Sequence, residues 1–497
     1  VSAPRPWLEP GGGSETTALV VGGRSVGRAE LATRADALAG WLASAGARSG
    51  EPLAALLENG LPFAELLHAA DRLGALLLPL NVRLTLPELA FQLRDSGARL
   101  LLYDARGGEA LAASAKAAAH EATRVEALPL PENPAHGAAA PRARHGLDAP
   151  LALLYTSGTT GRPKGVPLSH RNFLASAQAS ARHLGSRPDD RWLACMPLFH
   201  VGGLSILLRA ALDALPVVVH ERFDPGAVSQ ALDAEKVTLV SLVPTMLERL
   251  LEARGERRAP PQLRCVLLGG GPAPPTLLER ASGLGFPLAP TYGLTEATSQ
   301  VATLRPTPAA DLVREGLEPL PGTELRILAE HGGPAAPGEP GEILVRGPTV
   351  MRGYLNRPDE TRRVLRDGWL HTGDLGRLDA RGRLFVLDRR RDLIVSGGEN
   401  VYPAEVEAAL REHPDVLDAG VTGIPDAAFG RRPAAWVVLR PGRVLAAQDL
   451  ERFCRERLAG YKVPVRYLRA DSLPRNPAGK LRRDHLDEGE SGGEETS

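Results

Sequence analysis

The chain has 497 residues, 43% hydrophobic and 24% charged, with 59 basic side chains balanced by 59 acidic ones. At roughly 100–200 residues per domain this length implies two to four domains and a large core, excluding a peptide hormone, a small disulfide scaffold or a lone binding module. Without net charge there is no global field for nucleic acid or anionic lipid, so the expected partners are small molecules held at a local site.

Taken in chain order, the pattern reads as an amphipathic helix over 28–45, a buried strand over 52–57, a helix over 61–73, a strand over 75–80, a helix over 86–94 and a strand over 99–103. That alternation predicts a mainly parallel sheet with helices on both faces. Residues 105–147 are rich in Ala, Pro and Gly and read as a partly helical surface connection. A second series follows, with helix 227–234, strand 238–242, helix 245–252 and strand 263–268, so two wound sheets are expected in one large domain. Short β-like runs over 316–385 suggest a small β-rich subdomain. After Asp388-Arg389-Arg390-Arg391-Asp392 the pattern restarts as an α+β module of about a hundred residues: helix 404–411, strands 416–421 and 435–439, helix 449–458. The expected division is 1–388 for the N-terminal part, 389–391 for a hinge, 392–484 for a C-terminal lid and 485–497 for an acidic disordered tail.

Cys195, Cys265 and Cys454 form no CxxC pair and no disulfide framework, which fits a reducing cytoplasm. No secretory signal is read in the first thirty residues. The most apolar long stretch, 201–219, is interrupted by Arg209 and Asp213, so no membrane span is expected. Only five lysines occur, at 116, 164, 236, 462 and 480. In a chain that otherwise uses Arg, a motif Lys suggests a need for a compact ammonium.

The run Tyr155-Thr156-Ser157-Gly158-Thr159-Thr160-Gly161-Arg162-Pro163-Lys164-Gly165 follows a strand-like segment. Its glycines and hydroxyls let N–H and O–H groups converge on phosphate oxygens, with Lys164 adding charge. It is not a Walker A loop, because no Ser or Thr follows the Lys. At this point the chain resembles the adenylate-forming acyl-CoA synthetases. The resemblance spans about residues 15–483 and rests on further motifs in order: Pro197 to His200, Gly269-Gly270-Gly271-Pro272, Tyr292 to Glu296, Gly368 to Asp374, Asp388 to Asp392, Ser396 to Asn400 and Pro474 to Lys480.

The resemblance implies a large N-terminal α/β domain of wound sheets plus a small β-rich subdomain, followed by a small mobile α+β domain. It implies ATP and Mg²⁺, with coenzyme A as co-substrate. Joining a carboxylate to the α-phosphate brings two anions together, so the site must supply positive charge and orientation. By resemblance, Thr156 to Gly161 and Lys164 cradle phosphates, Thr295 touches the α-phosphate and Glu296 holds Mg²⁺. Gly270, Gly271 and Pro272 approach the base, on which Tyr292 stacks. Asp374 accepts the ribose hydroxyls or, on its own segment's evidence, caps a turn. Arg389 pairs with ribose or phosphate, His200 gates the acyl tunnel, and Lys480 bridges carboxylate and α-phosphate. Gly397, Gly398 and Glu399 line the pantetheine tunnel, and the hinge falls at Arg391, where Asp or Lys is commoner.

More local strings, including His200 to Ser205, Val240 to Met246 and Thr298-Ser299-Gln300, resemble the subgroup that activates 2-succinylbenzoate in menaquinone biosynthesis. That acid keeps one unreacted carboxylate, which needs a cation or strong donors in an apolar pocket. Arg209 occupies the position where the subgroup carries a basic residue, with Ser299 nearby in the substrate set; the alternative for Arg209 is a helix-surface residue. Other aryl or medium-chain acids, a carrier-loading adenylation domain and a non-catalytic nucleotide-binding relative are the competing functions. Homo-oligomerisation stays open.

Overall fold

The structure is a computed structural model that describes residues 7, 16–104, 108–119, 123–128, 146–156, 163–271, 273–306, 315–388, 393–474, 481 and 483–486. The chain divides into two compact units. The first comprises Val1–Val82, Leu93–Leu154 and Gly165–Leu387; the second comprises Arg83–Gln92, Tyr155–Lys164 and Asp388–Ser497.

The first unit is built on two wound sheets. The larger has nine strands in the order Glu318–Pro319, Ser299–Thr303, Leu288–Leu294, Cys265–Leu268, Leu239–Leu242, Trp192–Ala194, Val217–Val219, Thr17–Val21 and Arg24–Gly27. Its centre is parallel and both edges are antiparallel. Trp192, Val217, Leu239 and Cys265 belong to one buried cluster, while their neighbours Leu193, Val218, Val240 and Val266 belong to another. Successive strand residues point to opposite faces, so both faces are buried, as a parallel sheet requires.

The second sheet has six strands in the order Arg124–Ala127, Leu100–Tyr103, Pro52–Leu56, Leu76–Pro79, Pro150–Thr156 and Lys164–Ser169. Residues 105–147 are therefore more than a surface connection, since they supply the helix Gly108–Ala118 and the edge strand of this sheet. The expected β-rich subdomain is a five-stranded antiparallel sheet built on Glu324–Leu328, Gly341–Arg346 and Trp369–Leu378.

In the second unit Val416–Asp426 and Gly430–Leu439 form a long hairpin flanked by Ile394–Ser396 and Glu399–Val401, and Arg466–Arg469 runs parallel to the hairpin's second strand. The helices Pro403–Arg411 and Ala447–Arg455 cover a core that includes Val406, Leu410, Val421 and Leu450. No helix among the described residues is long and apolar enough to cross a membrane.

Candidate active site

Parallel strands of a wound sheet deliver their following loops to one edge, where ligands of such folds bind. Four of the sequence motifs sit on this edge of the nine-stranded sheet. His200 follows Trp192–Ala194, Val243-Pro244 follows Leu239–Leu242, Gly269 to Gly271 follow Cys265–Leu268, and Tyr292 to Glu296 close Leu288–Leu294. Register aligns them, with Leu242 beside Leu268 and Leu268 beside Pro290.

Asn59 fixes the approach to His200. Its amide donates to the carbonyls of Met196 and His220 at 2.9 and 3.1 Å, and its Oδ1 accepts from the Leu198 N–H at 2.8 Å. His200 then precedes the helix Val201–Asp213, with its ring edge-on to Phe199 at 4.6 Å. In the sequence, Glu58-Asn59-Gly60 signals only a turn between strand and helix, which gives no hint of these partners.

Tyr292 is buried, and its hydroxyl donates to Asp374 Oδ2 at 2.7 Å. The Asp374 N–H donates to Thr372 Oγ1, which itself donates to the Ile343 carbonyl. Asp374 is therefore oriented from two sides. Past Tyr292, Thr295–Ala297 is a single 3₁₀ turn. A Cβ on Gly293 would lie 1.6 Å from the Ser299 carbonyl oxygen, so this tight return admits only glycine. Thr298 and Ser299 both have left-handed φ, 43° and 76°, an unfavourable conformation for these residue types that the surroundings must hold. The Thr298 hydroxyl donates to the Thr349 carbonyl at 2.7 Å, and Ser176 donates to the Thr298 carbonyl at 2.8 Å.

Arg209 is 4% exposed, which rules out the helix-surface alternative. Its Nη2 donates to Ser299 Oγ at 3.3 Å, while Nε and Nη1 have no partner among the described residues. Burial pushes its pKa down to about 10. It also lines a small cavity of about 20 Å³ with Trp192, Asp213 and Arg264, room for roughly one water. A buried guanidinium with two unused donors is costly unless an acceptor arrives.

Glu296 is half-buried. Its Oε1 accepts from the Tyr354 hydroxyl at 2.9 Å, and it pairs with no Lys or Arg among the described residues. A carboxylate held by a neutral donor keeps its charge available, which suits a hard cation such as Mg²⁺.

In the second unit, Gly397 and Gly398 form the two-residue turn between Ile394–Ser396 and Glu399–Val401, with φ of 59° and 89°. Two consecutive left-handed residues are what a tight hairpin of this hand needs. Glu399 is buried and ion-paired with Arg83. The sequence reading did not single out that Arg, nor the buried Lys462, whose Nζ donates to Glu88 Oε1 and Glu405 Oε1, both at 2.7 Å. The scarcity of lysine was the available signal for Lys462. Thr156 and Lys164 border the phosphate run, and Lys164 is buried. Ser157, Gly158, Thr159, Thr160, Gly161, Pro272, Arg389, Arg391 and Lys480 lie outside the described residues.

Comparison with known proteins follows this layout. The family model for the AMP-binding enzyme matches residues 11–355, and that for the AMP-binding enzyme C-terminal domain matches residues 405–480. The chain belongs to the AMP-binding enzyme family. Among relatives in that family, the 2-succinylbenzoate–CoA ligase of Geobacillus kaustophilus (strain HTA426) is 46% identical over 472 residues, covering 95% of this chain and 94% of the relative. A double mutant of o-succinylbenzoate CoA synthetase from Bacillus subtilis, bound with a product analogue, is 38% identical with a TM-score of 0.92, covering all of both chains. The same B. subtilis enzyme in complex with ATP and magnesium ion is 40% identical with a TM-score of 0.73, covering 98% of this chain and 100% of that one. The α/β fold of this AMP-binding enzyme is the one its sequence motifs implied.

Proposed function

We propose that this chain is an ATP-dependent, AMP-forming acid:CoA ligase whose acid is 2-succinylbenzoate, acting in the cytoplasm in menaquinone biosynthesis. The single observation that carries the choice of acid is Arg209: a buried cation with two donors unused among the described residues, reaching Ser299 at the start of the strand that follows the turn carrying Thr295 and Glu296. The high identity to 2-succinylbenzoate–CoA ligases supports the same choice.

In the first half-reaction a carboxylate oxygen of the succinyl arm attacks the α-phosphorus and the bond to pyrophosphate breaks. Asp374, oriented by Tyr292, receives the ribose hydroxyls, and Lys480 stabilises the charge gathering between carboxylate and α-phosphate. When bound, Mg²⁺ held by Glu296 neutralises phosphate charge. Arg209 and Ser299 receive the aromatic carboxylate, which does not react. In the second half-reaction the CoA sulfur attacks the acyl carbon and AMP departs. Gly397, Gly398 and Glu399 border the pantetheine arm, and Arg391 is the pivot.

The test is a survey of acids with purified protein, ATP, Mg²⁺ and CoA, following AMP and pyrophosphate. Fast release with 2-succinylbenzoate and slow release with benzoate, phenylacetate and octanoate is expected. Preference for a monocarboxylic acid would move the assignment to another aryl or medium-chain ligase, release of ADP would end it, and no turnover with any acid would favour a nucleotide-binding relative.

A further inference from the structure

Glu296 sits on a backbone fixed by the 3₁₀ turn and by the left-handed pair after it, but its own side chain has three rotatable bonds. Something must hold the carboxylate if it is to meet a cation without a further ordering cost. Among the described residues the only hydrogen bond to it comes from Tyr354, at 2.9 Å.

Tyr354 is itself built in. It is buried, and its N–H donates to Thr361 Oγ1 at 2.9 Å. Three residues earlier the Met351 N–H donates to the Glu296 carbonyl at 2.8 Å, and one residue later the Leu355 N–H donates to the Gly165 carbonyl at 2.8 Å. The short segment 351–355 thus clasps the backbone of Glu296 at one end and the exit of the phosphate-loop motif at the other. Upstream, the Asn172 amide donates to the carbonyls of Pro348 and Val350, which ties down the approach to the clasp.

The identity of the donor matters as much as its place. An Arg or Lys here would neutralise Glu296 and compete with a divalent cation. A phenol orients one oxygen while leaving the negative charge in place and Oε2 without a hydrogen bond among the described residues.

We infer that Tyr354 is a positioning residue for the metal-binding carboxylate of Glu296, acting on the MgATP-dependent half-reaction and not on thioester formation. This rests on the reading of Glu296 as the Mg²⁺ ligand.

The experiment is calorimetric binding of ATP to the full chain, with Mg²⁺ and with EDTA, for the parent, Tyr354→Phe, Glu296→Gln and the double variant. In the parent, Mg²⁺ tightens ATP binding. Tyr354→Phe should lose about 10- to 100-fold of that gain, the usual range for removing an outer partner of a metal ligand, while binding of metal-free ATP and the melting temperature stay near the parent's. Adding Tyr354→Phe to Glu296→Gln should change little more, since both act through one carboxylate. With preformed 2-succinylbenzoyl-AMP and CoA, Tyr354→Phe should keep the parent rate. If the parent itself gains nothing from Mg²⁺, the reading of Glu296 fails. If the parent gains and Tyr354→Phe keeps the whole gain, the inference about Tyr354 fails alone. A variant that weakens ATP binding equally with and without metal, or that does not fold, assigns the hydroxyl to stability and overturns the inference too.

Discussion

At the scale of the residue, the proposed function concentrates the choice of substrate in one buried side chain, Arg209. Truncating it removes a charge-assisted contact that only a dicarboxylate uses. Arg209→Ala should therefore raise KM for 2-succinylbenzoate by roughly 10- to 150-fold, the equivalent of about 1.5–3 kcal/mol, and leave a monocarboxylic analogue nearly unaffected. Equal losses on both acids in steady-state kinetics would take Arg209 out of the pocket. The same residue burdens the fold. Its pKa is lowered by burial to about 10, so below that pH the folded state holds a charge that the unfolded chain would solvate more cheaply. Arg209→Met should then melt at or above the parent temperature, because an apolar replacement for a buried ion is often neutral or stabilising by about 1–4 kcal/mol. Lys480 is proposed for a different duty, at the point where two anions meet. Lys480→Ala should lose adenylation by about two or more orders of magnitude, yet convert preformed acyl-AMP and CoA at near the parent rate. Lys480→Arg should not rescue the first step, since a planar fork does not reproduce a compact ammonium. Separate assays of the two half-reactions decide it.

At the scale of the element, several segments of the first strand and helix series were legible, whereas the 15-residue helix His170–Leu184 and short paired strands went unread. The helix expected over 61–73 is observed as Leu61–Leu73, and the strand over 52–57 as Pro52–Leu56. The helix has an apolar period of about 3.6 residues, and the strand is a short continuous apolar run bounded by turn residues. The hairpin Thr17–Val21 and Arg24–Gly27 went unread although Gly22-Gly23 is a strong turn signal, because strands of four or five residues gain their stability from the sheet they join. The same holds for Arg466–Arg469, which exists by pairing with the preceding hairpin. In the site, residue types at motif positions could be read, but the donors that orient them could not. Asn59, Tyr354 and Lys462 reach partners 57 to 374 positions away, and no local pattern records such a pairing. Lys462 gives this scale its prediction. Burial would lower its ammonium, but Glu405, Tyr461 and Glu88 outweigh that and hold it well above the usual lysine value. Its folded pKa is thus raised, so its contribution is fully present below the unfolded value of about 10.4 and is lost as pH rises through the folded one. Lys462→Met should cost about 3–5 kcal/mol near neutral pH, by leaving Glu88 and Glu405 buried without their cation. It should also flatten the alkaline fall in stability expected of the parent above about pH 10.4, as read in denaturant melts across that range.

At the scale of the whole molecule, the balanced charge of 59 against 59 means that anion binding is confined to the site and made there by a few groups. Removing one of them should dissect the reaction. Chelating the divalent cation should stop pyrophosphate release from ATP and 2-succinylbenzoate, while preformed acyl-AMP with CoA still yields thioester and AMP, because only the first step gathers triphosphate charge. Rapid quench with and without chelator checks this, and equal inhibition of both steps would assign the cation to the thioester step as well.

The nine-stranded sheet has one more consequence. On the proposed assignment its strand ends divide the chemical duties, with Arg209 on the helix Val201–Asp213 and the nucleotide groups on the returns after Cys265–Leu268 and Leu288–Leu294, the second of which also carries Ser299 toward Arg209. A lineage can therefore drift in the acid it accepts by exchanging side chains along one helix, while the apparatus that spends ATP is inherited unchanged. Recruitment to a new metabolite would begin at that helix, and a laboratory retargeting this scaffold would randomise it first.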